Sequence, residues 1–277
     1  MLSVFSDGEN AIRTSDGLSI FYRTEGEGPT ALIFVHGWGG NGSGAVWDPV
    51  LHRLNHGNLR LVSMDLRGHG RSEHTKQGFT TERFADDILE VADHVGAERF
   101  VLIAYSMSGR WSQWLSLTHP DRVLGQVLLA PVAAVSMPMP QSMVDDWIER
   151  VGSRETYHEF ESQFTKTRLS EDELDECYSA VQSTPDFSLR ETLRMCGEAG
   201  FEERLADAQV PTLVVAGMHD PLMTPDYLRR EIVCRIPGSR MIQLDCGHNL
   251  PLEMPTEVAA VIEAFVAGLA GSAVPDR

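Results

Sequence analysis

The feature that most constrains the fold is an alternation of short apolar runs with longer amphipathic stretches. The apolar runs have the length and continuous hydrophobicity of strands buried on both faces, and they lie at residues 31–35, 60–64, 100–104 and 123–130. Thr81–Val95, between the second and third runs, carries its apolar side chains on one helical face. Such alternation predicts a parallel sheet with helices on both faces, connected by right-handed crossovers.

The same pattern extends toward both ends of the chain. Ala11–Thr14 and Leu18–Thr24 are predicted to form a hairpin, because the Asp16-Gly17 pair between them favours a tight turn. Further strands are predicted at residues 212–216 and 240–244. Helices are predicted at residues 45–54, at residues 225–233 and from residue 255 onward. The whole pattern predicts an α/β fold with eight strands.

The alternation stops after Pro131. The sequence that follows is polar and helical in pattern, with 17 acidic against 7 basic residues between positions 141 and 207. We interpret these acidic residues as solvated helix faces rather than as a binding surface. The predicted organisation is a core domain of residues 1–131 and 209–277, with a helical cap of residues 132–208 inserted into it.

Composition argues against several classes of function. The net charge of −17 disfavours nucleic acid and anionic membranes as partners, and no apolar run approaches the length of a membrane span. The first residues lack the basic and apolar regions of a signal peptide, so we expect a cytoplasmic protein. The 4 cysteines and 10 histidines show no metal-ligand spacing, so no metal and no cofactor are expected. Nothing in the sequence indicates an oligomeric state.

One strand is followed by a serine and then at once by a helical pattern. The strand of residues 100–104 leads to Ser106, with the small residues Ala104 and Ser108 on either side of it. A reversal this tight pushes the Ser106 side chain out at the carboxyl end of the strand, as in a nucleophile elbow. The alternative is that Ser106 or Ser108 only caps the helix. A further hypothesis is that the Ser108 hydroxyl touches a bound acyl group.

Polar residues follow other strands at the same predicted edge of the sheet, where ligands of parallel sheets bind. Asp220 follows the strand of residues 212–216, and His248 follows the strand of residues 240–244. A serine becomes a nucleophile when a base takes its proton and a carboxylate orients that base. A glycine-rich stretch containing Trp38 follows the first apolar run, and such a backbone can turn its N–H groups toward a ligand.

Five segments together resemble the α/β-hydrolase superfamily. In chain order they are HGWGG from His36, DLRGHGRS from Asp65, SMSG from Ser106, GMHDPLMTP from Gly217 and GHNLPLEMP from Gly247. The resemblance implies an α/β-hydrolase fold with Ser106 as nucleophile, His248 as general base and Asp220 as its orienting acid. It also implies an oxyanion hole made by the backbone N–H groups of Trp38 and Met107.

The resemblance assigns supporting roles to other conspicuous residues. Those expected to hold the loops in place are His36, Asp65, Arg67, His69 and Arg71. The segment after Pro131 offers no alternative acid, and His219 is interpreted as structural. Side chains that could line an apolar substrate pocket are Trp38, Tyr105, Met137, Met139, Met143, Trp147, Leu222 and Met223.

The function predicted from these residues is hydrolysis of a carboxylic ester through an acyl-enzyme. The expected substrate is a small or medium, largely apolar ester, lactone or thioester. Alternatives that share the three residues are a carbon–carbon bond hydrolase of the meta-cleavage type, an acyltransferase, a perhydrolase and an aminopeptidase. Meta-cleavage hydrolases resemble this chain but commonly carry Trp after the catalytic His, where Asn249 stands here. A ligand sensor with slow turnover is the alternative from a different class.

Overall fold

The computed structural model describes residues 9–39 and 42–272, and in them one sheet of eight strands forms the centre of the fold. The strands are β1 (Glu9–Arg13), β2 (Ser19–Glu25), β3 (Thr30–Val35), β4 (Leu59–Met64), β5 (Phe100–Tyr105), β6 (Val123–Leu129), β7 (Thr212–Gly217) and β8 (Arg240–Leu244). Their order across the sheet is β1-β2-β4-β3-β5-β6-β7-β8. β2 is antiparallel to β1 and to β4, and the other neighbours pair in parallel. The predicted eight-stranded, mostly parallel sheet is confirmed.

Helices follow most of the strands. They are α1 (Asp48–Leu51), α2 (Thr81–His94), α3 (Ser108–Thr118), α4 (Gln141–Arg150), α5 (Arg154–Glu161), α6 (Glu171–Gln182), α7 (Asp186–Met195), α8 (Pro225–Leu228), α9 (Leu250–Glu253) and α10 (Pro255–Ser272). None of these helices in the described part of the chain combines the length and apolarity that crossing a bilayer requires.

Two predicted helices differ from the structure. The helix expected at residues 45–54 is a 3-10 turn, Gly44–Trp47, followed by the single turn of α1. Pro49 accounts for the break, because proline lacks an N–H donor and fits only in the first turn of a helix. The helix expected at residues 225–233 is α8 followed by a wider π turn, Arg229–Val233.

The buried strands hold the functional edge of the sheet rigid. Every residue of β5 and β7 is buried, and so are the last five residues of β3. The apolar face of α2 packs onto this core through Phe84, Ile88 and Val91. Loops that leave the carboxyl ends of these strands therefore start from well-fixed points.

Residues 132–208, all of them described, contain α4 to α7 and no strand. They enclose a small apolar core of their own, formed by Val151, Tyr157, Phe160, Cys177, Val181 and Leu189. Trp38, from the loop after β3, and Leu252, from α9, pack against that core. The helical segment therefore lies over the carboxyl ends of the strands. Its assignment as a distinct cap domain stays a prediction.

Candidate active site

Ser106 occupies a sharp turn between β5 and α3. Its backbone adopts φ +55°, in the left-handed region that residues with a side chain rarely enter. Its N–H donates to the carbonyl of Leu129 at 2.8 Å, and its carbonyl accepts from the N–H groups of Gly109 and Val132 at 3.0 and 2.8 Å. The turn is thus fixed from both sides, and the Ser106 hydroxyl is presented above the sheet.

Small residues surround the turn because neighbouring backbone passes very close. A Cβ placed on Gly37 would lie 3.1 Å from the Cβ of Ser106, and one on Gly109 would lie 2.3 Å from the Cβ of Pro131. A side chain would therefore collide at Gly37 and Gly109. Ala104 and Ser108 already carry side chains, which the turn accommodates.

Ser108 does not point toward the substrate side of the turn. It is fully buried, and its Oγ accepts from the N–H of Tyr105 at 2.9 Å. The carbonyl oxygens of Val35 and Tyr105 lie 2.9 and 3.0 Å from the same Oγ. The hypothesis that Ser108 touches a bound acyl group is therefore wrong, because its hydroxyl is used to join β3 to β5.

The structure brings Ser106, His248 and Asp220 together from three separate loops. The Ser106 hydroxyl lies 2.9 Å from Nε2 of His248, and Nδ1 of the same ring lies 2.7 Å from Oδ2 of Asp220. An Nδ1–H that donates to Asp220 leaves Nε2 as the acceptor of the serine proton. The arrangement can therefore activate the serine hydroxyl.

Asp220 is prepared to carry a negative charge although it is buried. Burial acts to raise the pKa of its carboxyl, but the charge and hydrogen bond of His248 outweigh that effect and hold the pKa below its ordinary value. The backbone N–H groups of Leu222 and Met223 also donate to Oδ1, at 2.7 and 2.9 Å. A carboxylate held in this way orients the imidazole and stabilises its protonated form.

Two backbone N–H groups near Ser106 are available to a bound molecule. Those of Trp38 and Met107 donate no hydrogen bond to any residue within 9–39 and 42–272, and both residues line the cavity described below. Gly40 and Asn41 of the glycine-rich loop lie outside the described residues. Trp38 is fixed through its ring, because its Nε1–H donates to the carbonyl of Leu189 in α7 at 2.8 Å.

The loops after β3 and β4 support each other through buried polar side chains. Nε2 of His36 accepts the N–H of Leu66 at 2.9 Å, and burial lowers the pKa of His36 to about 4, so the ring is neutral. Asp65 accepts the N–H groups of Gly44 and Arg71 at 2.7 and 2.8 Å. These contacts agree with the supporting role expected for this set.

A cavity of about 330 Å³ opens onto Ser106 and His248. Seven of the eight predicted pocket residues line it, namely Trp38, Met137, Met139, Met143, Trp147, Leu222 and Met223. The prediction that Tyr105 lines the pocket is wrong. Tyr105 is fully buried behind the wall, where its hydroxyl donates to Oδ1 of Asn249. The wall also contains Phe160, Phe164 and Leu193, so the cavity is largely apolar.

Comparisons with known proteins agree with this architecture. A family profile described as an alpha/beta hydrolase fold matches residues 30–255. The chain belongs to the α/β-hydrolase family. The solved structure of an esterase from Exiguobacterium antarcticum superimposes with a TM-score of 0.85 and 20% identity, covering 94% of this chain and 100% of that one.

Two curated relatives carry named activities within this α/β-hydrolase family. A pimeloyl-[acyl-carrier protein] methyl ester esterase from Yersinia enterocolitica is 30% identical, covering 88% of this chain and 84% of its own. The non-heme chloroperoxidase CPO-A1 from Kitasatospora aureofaciens is 27% identical, covering 82% of this chain and 87% of its own. The relatives of this α/β-hydrolase therefore include both an esterase and a chloroperoxidase.

The helical segment of this α/β-hydrolase is bonded directly to the loop that carries His248. The backbone N–H of His248 donates to the carbonyl of Phe164 at 2.6 Å. One carboxyl oxygen of Glu253 accepts the N–H groups of Lys166 and Thr167 at 2.7 and 2.9 Å, and its other oxygen accepts the N–H of Gly247 at 3.0 Å. The position of the imidazole therefore depends on the segment above it.

Sequence analysis missed several residues of the site, and the one of most chemical interest is Glu161 at the end of α5. Most acidic residues between positions 141 and 207 are at least partly exposed, as predicted, but Glu161 is only 5% exposed and lines the cavity. Its interpretation as a surface residue is wrong. A signal was present, because Glu161 lies four residues after Tyr157 and so shares the buried face of the helix.

Proposed function

We propose that this protein hydrolyses a small to medium, largely apolar carboxylic ester, lactone or thioester through a covalent acyl-enzyme. Ser106 is the nucleophile, His248 the general base and Asp220 the acid that orients it. The observation that carries the proposal is the hydrogen-bonded series from Ser106 through His248 to Asp220, located at the wall of an apolar cavity. The esterase relative is consistent with it.

Acylation begins when the Ser106 oxygen attacks the ester carbonyl and its proton passes to Nε2 of His248. The carbonyl π electrons move onto oxygen, and the N–H groups of Trp38 and Met107 donate to that oxyanion. Removing one such donor from a hydrolase costs about two to three orders of magnitude in rate. As the tetrahedral intermediate collapses, the bond to the leaving oxygen or sulfur breaks and that atom takes the proton from His248.

Deacylation repeats the sequence with water. His248 takes a proton from water, the hydroxide attacks the acyl carbon, and the bond to Ser106 Oγ breaks as that oxygen recovers a proton from His248. The acid is released and the starting enzyme is restored. Alcohol or peroxide in place of water would give acyl transfer or perhydrolysis from the same acyl-enzyme.

The helical segment of residues 132–208 is proposed to act as the cap that selects the acyl or alcohol group. It contributes Met137, Met139, Met143 and Trp147 to the cavity wall. Methionine side chains are flexible and polarizable, so they adapt to apolar groups of different shape. A cavity of about 330 Å³ lies at the lower end of the range for small-molecule sites, which favours short and medium chains.

Ester hydrolysis by wild type and Ser106→Ala tests this function. We expect the wild type to hydrolyse p-nitrophenyl esters between acetate and octanoate, and kcat/KM to fall by about four orders of magnitude or more in Ser106→Ala. Circular dichroism and thermal unfolding would confirm that the variant is folded. Equally slow hydrolysis by both proteins would contradict the proposal.

Covalent labelling tests the assignment of the nucleophile separately. A fluorophosphonate should attach to Ser106, since a hydroxyl bonded to the imidazole is the reactive one. Ser108 serves as the internal control, because it is fully buried and its hydroxyl is used between strands. Peptide mapping that located the label on Ser108 would contradict the assignment.

A further inference from the structure

Two polar side chains other than Ser106 and His248 stand in the otherwise apolar wall of the cavity. Among the described residues that line it, they are Glu161, from the end of α5, and Asn249, directly after His248. Both are buried, with exposed fractions of 5% and 1%. Neither has a place in the acyl-enzyme mechanism above, so their presence at the wall calls for a separate explanation.

Glu161 and Asn249 are hydrogen-bonded to each other, and Asn249 is also hydrogen-bonded to the buried Tyr105. The Asn249 side-chain amide donates from Nδ2 to Oε1 of Glu161, and its Oδ1 accepts the hydroxyl of Tyr105. A carboxylate only accepts hydrogen bonds, so the amide must direct its NH2 group toward Glu161. The series from Tyr105 through Asn249 thereby fixes the carboxyl group at the cavity wall.

No lysine or arginine side chain in the described part of the chain completes this arrangement. Glu161 forms no ion pair with any residue in the described ranges, and no lysine or arginine of those ranges lines the cavity. Burial raises the pKa of Glu161, and hydrogen bonds from Asn249 and Tyr157, together with the nearby His248, act against that rise. A buried carboxyl group without a lysine or arginine partner is costly to maintain, and a further donor from a bound molecule would lower that cost.

We propose that Glu161, held by Asn249, is a polar subsite that binds a hydrogen-bond donor on the substrate, either a hydroxyl or an ammonium group. The preferred ester then has an apolar body that fits among the methionine and aromatic side chains, and one donor group that reaches the end of α5. A substrate with a carboxylate in that place is disfavoured by like-charge repulsion. This inference names the substrate class and rests on the proposed esterase function.

Substrates matched in length test the subsite. The set consists of p-nitrophenyl esters from butanoate to octanoate whose far end is methyl, hydroxyl, ammonium or carboxylate. At the chain length that reaches Glu161, kcat/KM for the hydroxyl or ammonium ester should exceed that of the methyl ester by about tenfold or more, with the carboxylate ester the poorest. Comparing the hydroxyl with the ammonium ester distinguishes a neutral from a cationic donor.

The variant Glu161→Gln keeps the shape of the side chain and removes its charge. The ratio of kcat/KM for the ammonium ester to that for the methyl ester should fall by about tenfold. Glu159→Gln, on the same helix but exposed, is the matched control and should leave the ratio unchanged. If kcat/KM fell equally for both esters, so that their ratio stayed unchanged, the proposal would be overturned and Glu161 would be a structural residue. Absence of any donor preference in the wild type would overturn it even if the variant did not fold.

Binding separates this proposal from the esterase function. Amide analogues with the same four end groups can be titrated calorimetrically into Ser106→Ala, where no turnover is needed. Tighter binding of the hydroxyl or ammonium analogue, lost in Ser106→Ala/Glu161→Gln, would support the subsite even if ester hydrolysis were absent. Equal binding of the methyl, hydroxyl and ammonium analogues would overturn the subsite while leaving the esterase function untouched.

Discussion

At the scale of single residues, Ser106 combines a hydroxyl that faces the cavity with an unfavourable backbone conformation. A left-handed conformation costs a residue with a Cβ about 1–2 kcal/mol. The bonds to Leu129, Gly109 and Val132 keep the turn closed in spite of that cost. The strain is local, and it is associated with the position that presents the nucleophile.

Ser106→Gly should therefore be more stable than Ser106→Ala, although both lose the hydroxyl. Glycine removes the strain of about 1–2 kcal/mol, while its greater freedom in the unfolded chain costs about 0.4–1 kcal/mol. We expect a net gain of about 0.5–1 kcal/mol in the free energy of unfolding, measured by urea denaturation. Ser106→Ala is the matched control, since it keeps the Cβ. Equal stability of the two variants would show that the turn is not strained.

At the scale of elements, one buried arginine connects α3 to both ends of the helical segment. Arg110 is 1% exposed, and its guanidinium donates to carbonyl oxygens in residues 133–135 and 198–199 at 2.9–3.4 Å. Residues 133–135 precede α4 and residues 198–199 follow α7 within the segment. Since α3 also begins at the nucleophile turn, Arg110 holds the helical segment in register with Ser106.

Replacing this guanidinium should loosen the segment. Arg110→Met keeps most of the side-chain volume but leaves buried carbonyl groups without donors, so the free energy of unfolding should fall by about 3 kcal/mol. Limited proteolysis within residues 132–208 should also become faster. Arg168→Met is the control, because the Arg168 side chain is 88% exposed and its loss should matter little. Unchanged stability and proteolysis in Arg110→Met would contradict this role.

At the scale of the whole molecule, a buried ion-pair network connects elements that are distant along the chain. Arg67, in the loop after β4, pairs with Asp16 in the β1–β2 turn and with Asp87 in α2. Burial acts to raise the pKa of Asp16, but its hydrogen bonds from Arg67 and Thr14 outweigh that effect and hold the pKa at about 2. The network therefore favours the ionised form of Asp16 in the folded protein.

This low pKa makes part of the stability depend on pH. The folded-state pKa lies below the ordinary aspartate value of 3.8, so the contribution of Asp16 is complete above about pH 4 and disappears as the pH falls toward 2. Because its side chain is 41% exposed, we expect Asp16→Asn to lose only about 1 kcal/mol at neutral pH. Urea denaturation should show the difference from wild type shrinking below pH 4, with the exposed Asp121→Asn as control. A difference that stays constant with pH would contradict this account.

The sequence by itself determined the eight strands, their mostly parallel arrangement and the separation of Ser106, Asp220 and His248 onto loops after β5, β7 and β8. Periodicity carries this information because it reports which faces are buried, and parallel strands bring their carboxyl ends to one edge. The sequence also indicated seven of the cavity residues, because large apolar side chains near those loops are usually buried, either in the core or in the pocket.

Only the tertiary structure decided which polar side chains are buried beside that edge. Glu161 is of a charged residue type that usually lies on the surface. It becomes part of the cavity because α5 packs above His248. Tyr105 and Ser108 lie within two residues of the nucleophile in sequence, yet both are fully buried and take no part in the cavity wall. Whether a side chain faces core, solvent or substrate depends on contacts between elements distant in the chain, which local periodicity does not encode.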